Sequence, residues 1–138
     1  MEELSGIWKG YYEYGLGYDL PFFGKRVNIE YTLDFKAYNI TGKTQEEPSE
    51  SAVDAQGKIF GYIEDSLVCF VKKYPVISKI NENGIIEQQP GELIVNHTGY
   101  YDHKNQSIYG LWTINNPDVQ DDEYEVQQGE GIWLIKKE

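Results

Sequence analysis

The sequence predicts an all-β protein, built as a single antiparallel up-and-down β-barrel of about eight to ten strands. Gly-x-Trp occurs three times, as Gly6-Ile7-Trp8, Gly110-Leu111-Trp112 and Gly131-Ile132-Trp133, and these are the only three tryptophans. Short stretches of alternating polar and apolar residues recur along the chain, and no segment has sustained helical periodicity. Because the first and last predicted strands share one motif, we expect the sheet to close on itself.

The first strand is predicted over residues 6–14, and a long loop with an apolar centre follows over residues 15–26. The next strand has the clearest pattern, since Val27, Ile29, Tyr31, Leu33 and Phe35 alternate with polar residues over 27–36. This alternation is typical of a strand buried on one face only. Polar loops are predicted at 47–57 and 115–128, and the remaining strands at 39–46, 58–64, 67–74, 76–80, 85–89, 92–101, 107–114 and 129–137.

Composition limits the classes of partner. The 138 residues predict one domain, 1–138, and the formal net charge of -11 argues against nucleic acid and anionic membrane surfaces as partners. A single cysteine, Cys69, excludes an internal disulfide framework. No apolar run approaches membrane-spanning length, and the N-terminus lacks the features of a signal peptide. We therefore expect a cytoplasmic protein.

The first strand carries a family resemblance. Ser5-Gly6-Ile7-Trp8, the long apolar first loop and the string of hairpins resemble the calycin superfamily, which holds the lipocalins, the fatty-acid-binding proteins and the avidins. Gly6 and Trp8 match the first-strand motif of lipocalins, and the same residues resemble the first strand of avidins. The other lipocalin signatures and the polar biotin-binding set of avidins are not recognisable. The resemblance therefore implies a barrel that holds a small ligand, without specifying which one.

Alternation places candidate ligand-binding side chains inside the barrel. If Trp8 points inward at the lower end as a core plug, Tyr12 and Tyr14 share its face. Trp112 and Trp133 are expected toward the upper end, either as core packing or as pocket wall. The full set of candidate ligand-binding residues is Tyr12, Tyr14, Tyr31, Phe35, Phe70, Lys72, Tyr74, His97, Trp112 and Trp133.

Two features of the predicted interior stay open at this level. In one phase of strand 67–74, Lys72 points inward with Phe70 and Tyr74, where it needs a partner or an anionic ligand; in the other phase it is a surface charge. The first loop leaves from the upper end, so Leu20, Phe22 and Phe23 are predicted to form a lid over the opening. The alternatives for the same three residues are a permanent cap over the barrel and a dimer contact.

Patterns that indicate catalysis or metal binding are missing from the sequence. His97 and His103 have no zinc-site spacing, and no nucleophile motif is present, so we predict no metal, no cofactor and no catalytic residues. His97 is expected on the inner face, bonded to a tyrosine hydroxyl. The paired carboxylates Glu46-Glu47 and the run 121–123 are expected to be solvated loop charges.

The leading functional hypothesis is a binding protein for a small apolar or aromatic molecule held among Tyr and Trp side chains. A part-polar ligand suits such a lining better than a plain fatty acid. The alternative is a filled barrel whose acidic loops, 46–54 and 118–125, bind a basic protein in an inhibitor or immunity role. An enzyme using Lys72, His97 or a buried tyrosine as acid or base is the third class, and a homodimer is compatible with each.

Overall fold

The computed structural model describes residues 2–16, 18, 20, 22–46, 56–80, 82–83, 85–115 and 128–138. A short 3-10 turn at Glu2–Leu4 precedes eight strands. Within this part of the chain, no helix has the length and apolar character needed to cross a bilayer. The strands are β1 (Gly6–Tyr14), β2 (Arg26–Lys36), β3 (Asn39–Glu46), β4 (Gly57–Glu64), β5 (Leu67–Ile80), β6 (Ile86–Asp102), β7 (Ser107–Asn115) and β8 (Gln128–Lys137).

The eight strands form a closed up-and-down barrel. Each strand pairs antiparallel with the next one, and β8 pairs with β1 to complete the circle. The closing ladder joins Tyr12 to Trp133 and Tyr14 to Gly131. The predicted fold class is confirmed, including the closure that the repeated motif indicated. The two loops predicted at 47–57 and 115–128 lie largely outside the described residues.

The β5–β6 hairpin differs from the prediction in its length. Residues 76–80 and 85–89 were expected to form a separate strand pair, but they continue β5 and β6 and pair with each other at the far end of one long hairpin. The register shifts between Tyr74 and Val76, where Pro75 interrupts the ladder. Proline has no N–H to donate, so an irregularity there lets both strands continue beyond it. The barrel therefore has eight strands.

Trp8 plugs the lower end of the barrel, as predicted. Its side chain is fully buried, and its indole ring packs against Phe35 and Tyr101 with ring centroids 6.3 and 6.4 Å apart. Its Nε1–H donates a 2.9 Å hydrogen bond to the carbonyl oxygen of Leu4. The 3-10 turn thus satisfies the only polar group of the indole, and together they form the floor of the barrel.

The other two Gly-x-Trp motifs face each other on β7 and β8. Trp112 pairs with Gly131 and Trp133 pairs with Gly110. The Trp112 ring lies over Gly131, whereas the Trp133 ring lies against Gly99 of β6. A Cβ at Gly131 would overlap the Trp112 ring and the carbonyl oxygen of Glu13. Each Nε1–H donates to the middle residue of the opposite motif, Trp112 to the carbonyl oxygen of Ile132 at 3.1 Å and Trp133 to that of Leu111 at 3.0 Å. The repeated triplet is therefore a reciprocal packing unit that helps close the barrel.

Candidate ligand site in the barrel interior

Four polar side chains from three strands point into the barrel. Alternation along β3 and β5 turns Thr44, Glu46 and Lys72 inward, and β6 contributes His97; all four are buried. In β5, Phe70 and Tyr74 are buried with Lys72, while Lys73 is exposed. The inward phase of this strand is thus the one the protein adopts. A charged group at these positions requires a polar partner, because burial removes its hydration.

Glu46 receives hydrogen bonds from two tyrosines. Its Oε1 accepts from the Tyr12 hydroxyl at 2.6 Å, and its Oε2 accepts from the Tyr74 hydroxyl at 2.5 Å. Burial raises the pKa of both tyrosines well above its ordinary value, so both hydroxyls stay protonated as donors. The expectation that Glu46 is a solvated loop charge was wrong. The signal for its inward position is the period of β3, since Ile40, Thr44 and Glu46 fall in one phase.

The ammonium group of Lys72 lies within an aromatic shell. Its Nζ is 4.9 Å from the ring centroid of Tyr12, 5.3 Å from that of Tyr31 and 5.5 Å from that of Tyr74. Ion pairs within the described part of the chain involve Lys9 and Arg26, and Lys72 has none there. Burial lowers the pKa of Lys72 to about 8, although the charge of Glu46 opposes this shift. Cation–π contacts with three tyrosine rings and the charge of Glu46 therefore stabilise this ammonium group among the described residues.

His97 lies between two aromatic rings on the inner face. Its ring stacks on Phe70 with centroids 4.5 Å apart and meets the edge of Trp133 at 5.2 Å. Its Nδ1 is 3.4 Å from the carbonyl oxygen of Val95, and its Nε2 has no hydrogen-bond partner among the described residues. Burial, and next the charge of Lys72, lower the pKa of His97 well below its ordinary value. The imidazole is therefore neutral at pH 7, and no tyrosine of the described residues forms the expected bond to it.

Tyr31 provides a second polar atom that lacks a partner. Its side chain is fully buried, and within the described residues its hydroxyl makes no hydrogen bond. Burial raises its pKa well above the ordinary value, so the hydroxyl remains a donor at any physiological pH. Its ring faces the Lys72 ammonium on one side and meets Phe70 edge-on at 6.2 Å. Tyr31 and His97 thus each contribute a buried polar atom without a hydrogen-bond partner, among the described residues, to the aromatic region that holds Lys72.

The upper end is covered by an aromatic cluster. Tyr14 lies 5.8 Å from Trp112, 4.8 Å from Tyr18 and 6.1 Å from Phe22, measured between ring centroids. Phe22 is only 5% exposed, so this member of the predicted lid does fold inward. Leu20 and Phe23 instead point to solvent, with exposed fractions of 82% and 47%. The predicted three-residue lid is therefore reduced to Phe22.

Hydrogen bonds explain why one loop phenylalanine is buried and the next one is not. The Gly24 N–H donates to the Tyr14 carbonyl oxygen at 2.8 Å, and the Lys25 N–H donates to the Phe22 carbonyl oxygen at 2.9 Å. This turn places the Phe22 ring against Tyr14, and its successor Phe23 projects the other way.

The predicted site residues divide by depth in the barrel. Phe35 packs on Trp8 at the floor, and Trp112 joins the upper cluster beside Tyr14. Gly131 pairs with both Tyr14 and Trp112, so these three residues lie at the same height. Trp133 follows two residues later and pairs with Tyr12, which places it deeper in the barrel. It therefore packs on His97 and Phe70 at middle height instead of at the opening. The middle level brings together Tyr12, Tyr31, Phe70, Lys72, Tyr74, His97 and Trp133, and it adds Glu46, which sequence reasoning missed.

Two features of the described residues bear on metal binding: the grouping of potential ligand side chains and the position of the second histidine, His103. Within the described residues, no three His, Cys, Asp or Glu side chains lie together in a way that could hold a metal ion. His103 lies in the β6–β7 turn, where Asp102 accepts a 3.0 Å hydrogen bond from the backbone N–H of Lys104.

Comparison of the chain with protein-family models, with curated proteins and with solved structures found no match. A functional proposal therefore depends on the geometry of the interior.

Proposed function

We propose that the protein binds a small aromatic molecule inside the barrel, and that this molecule carries a neutral hydrogen-bond-accepting oxygen. One observation carries the proposal. The buried ammonium of Lys72 is surrounded by tyrosine rings and forms no ion pair among the described residues, and the buried hydroxyl of Tyr31, whose ring faces it, makes no hydrogen bond there. An acceptor oxygen placed between them would receive hydrogen bonds from both groups.

The energetic argument concerns why a charge is kept in this position. Burying an ammonium without a hydrogen-bond partner costs several kcal/mol, and a well-packed apolar side chain is generally at least as stabilising at a buried site. Lys72 thus lowers the stability of the barrel compared with an apolar side chain at the same position. A role in holding a ligand accounts for its presence, and the surrounding rings of Tyr12, Phe70 and Trp133 account for an aromatic ligand body.

Charge favours a neutral acceptor over the anion that the sequence alone also allowed. Glu46 already places a carboxylate in the interior, held by Tyr12 and Tyr74, and the chain carries a net charge of -11. A second buried anion would be repelled by this carboxylate in a medium of low dielectric constant. A carbonyl oxygen accepts from Lys72 and Tyr31 without this penalty.

The architecture supports a ligand of modest size. Closed eight-stranded barrels enclose an interior that side chains fill or that holds one small molecule. The closed antiparallel barrel is also consistent with the calycin resemblance of the first strand. We propose calycin membership on these two grounds.

A neutral fluorescent ketone tests the binding proposal. The probe 6-propionyl-2-(dimethylamino)naphthalene should bind with a blue-shifted emission, because its ring system leaves water and its carbonyl oxygen accepts from Lys72. Lys72→Met should weaken binding roughly tenfold or more, since a hydrogen bond to a charged group contributes about 1.5–3 kcal/mol.

Lys73→Met is the matched control, because Lys73 follows Lys72 in the chain but its exposed side chain lies on the outer face. This variant should bind the ketone as tightly as the parent protein does. If neither this ketone nor the carbonyl-free N-phenyl-1-naphthylamine binds the folded parent protein, the proposal is wrong. The filled barrel that binds a basic protein then becomes the better hypothesis.

A further inference from the structure

We propose that Lys72 condenses with an aldehyde carbonyl of a bound aromatic molecule to form an imine inside the barrel. The inference rests on the proposed function, since the same interior must first admit an aromatic carbonyl compound. It goes beyond reversible binding by assigning a covalent step to one side chain.

Among the described residues, the Lys72 amine lacks the carboxylate partner that a buried lysine usually has. No carboxylate within the described residues pairs with Lys72, so its Nζ is not engaged in a salt bridge there. The ring centroids of Tyr12, Tyr31 and Tyr74 lie within 6 Å of it, and these rings exclude water without accepting strong hydrogen bonds from it. Desolvated lysines in apolar surroundings are the ones that form Schiff bases with carbonyl substrates.

The interior also offers a donor for the carbonyl and a counter-charge for the product. Tyr31 has an unused hydroxyl that can hydrogen-bond the carbonyl oxygen and polarise its carbon for attack. Glu46, held by Tyr12 and Tyr74, supplies the negative charge that balances a protonated imine. The interior charge is then the same before and after reaction, with one cationic nitrogen and one carboxylate.

The step balances without an oxidant or a reductant. The lone pair of the neutral Nζ attacks the carbonyl carbon, the carbon–nitrogen bond forms, and the carbonyl electron pair moves to oxygen. One proton moves from nitrogen to that oxygen to give a carbinolamine. The proton that the ammonium released on becoming neutral then moves to the hydroxyl, which leaves as water while the nitrogen lone pair forms the carbon–nitrogen double bond of the protonated imine.

Ionisation of Lys72 favours this chemistry at neutral pH. With a pKa of about 8, the neutral fraction of this amine at pH 7 is on the order of a hundredfold larger than that of an ordinary lysine. The titratable groups around it are Glu46, His97 and the three tyrosines. Of these, His97 is neutral and the tyrosines remain protonated near pH 7, so their charges do not change as Lys72 titrates there.

Reductive trapping tests the inference on the unmodified protein. The parent protein is incubated at pH 7 with a substoichiometric amount of 2-naphthaldehyde and sodium cyanoborohydride, and intact mass followed by peptide mapping locates the adduct. We expect one dominant adduct on Lys72, at least tenfold more occupied than Lys73. Lys73 is the internal reference, because it is next to Lys72 in the sequence and its side chain is exposed on the outer face. Equal labelling of both lysines, labelling elsewhere, or no adduct would overturn the inference.

Two controls separate this inference from the binding proposal. 2-Naphthalenemethanol has the same ring system but cannot form an imine, so its displacement of the fluorescent ketone reports binding alone. Displacement without aldehyde labelling would refute imine formation and leave the binding proposal intact, whereas no labelling of a protein that binds neither the ketone nor N-phenyl-1-naphthylamine would refute both. Lys72→Met should lose the adduct while its thermal unfolding remains cooperative, and Lys73→Met should keep it.

Discussion

The packing of Trp112 over Gly131 leads to a sharp prediction for Gly131→Ala. A Cβ at this position would overlap the Glu13 carbonyl oxygen across the barrel closure and the indole ring of Trp112. The carbonyl oxygen belongs to the backbone, so relief requires β8 to move away from β1 or Trp112 to leave its position. Both movements disturb the aromatic cluster at the upper end.

The expected loss can be built from the structure. Overpacking in a close-packed core costs typically 1–3 kcal/mol. Displacing Trp112 also breaks the bonds from its Nε1–H to the carbonyl oxygens of Glu13 and Ile132, at 3.2 and 3.1 Å. These contribute on the order of 1 kcal/mol net. We therefore expect the free energy of unfolding to fall by roughly 2–4 kcal/mol, a large part of the stability of a typical domain.

Urea denaturation, followed by tryptophan fluorescence and by circular dichroism, measures this loss. Ile132→Ala is the matched control, because this next residue of the same motif points outward and is 41% exposed. It should cost less than about 1 kcal/mol, as substitutions of half-exposed residues usually do. A Gly131→Ala protein that is as stable as the control would refute the packing role of the motif.

Replacements at the two ends and in the polar interior should separate packing from electrostatics. Trp8→Ala should cost roughly 3–5 kcal/mol in urea denaturation, because a fully buried ring is lost; a loss below about 1 kcal/mol would place Trp8 outside the core. Phe22→Ala should cost at least about 1 kcal/mol more than Phe23→Ala, since only Phe22 is buried; equal costs would argue against a cap. Between about pH 8 and 10 the unfolded chain binds more protons at Lys72 than the folded one, so the stability of the parent should rise with pH and Lys72→Met should lose that rise; an unchanged slope would contradict the lowered pKa. Glu46→Gln should lower the pKa of Lys72 further, because the charge of Glu46 raises it; NMR titration of the Lys72 side chain would show a pKa that is unchanged or higher if the two groups are not coupled.

Local pattern was enough to predict most inward-facing positions. The alternation of β2 predicted the buried set from Val27 to Phe35, and the position of Trp8 in the first strand predicted the floor of the barrel. The same alternation continues through β3 to Glu46, but a carboxylate beside a polar loop was taken as solvated. That interpretation failed because burial of a charge depends on its partners, and the hydroxyls of Tyr12 and Tyr74 come from two other strands.

The amino-acid order by itself determined the β class, the closure of the sheet and the aromatic lining, because each follows from period-two alternation and from one motif repeated at both ends. Tertiary structure decided the phase of β5, since Lys72 and Lys73 are equivalent by composition and only the pairing of β5 with β4 and β6 turns one inward. It also decided the partnership of the two tryptophan motifs and the use of Phe22 alone as a cap. These outcomes depend on contacts between residues far apart in the chain, and such contacts exist only once the register of neighbouring strands is set.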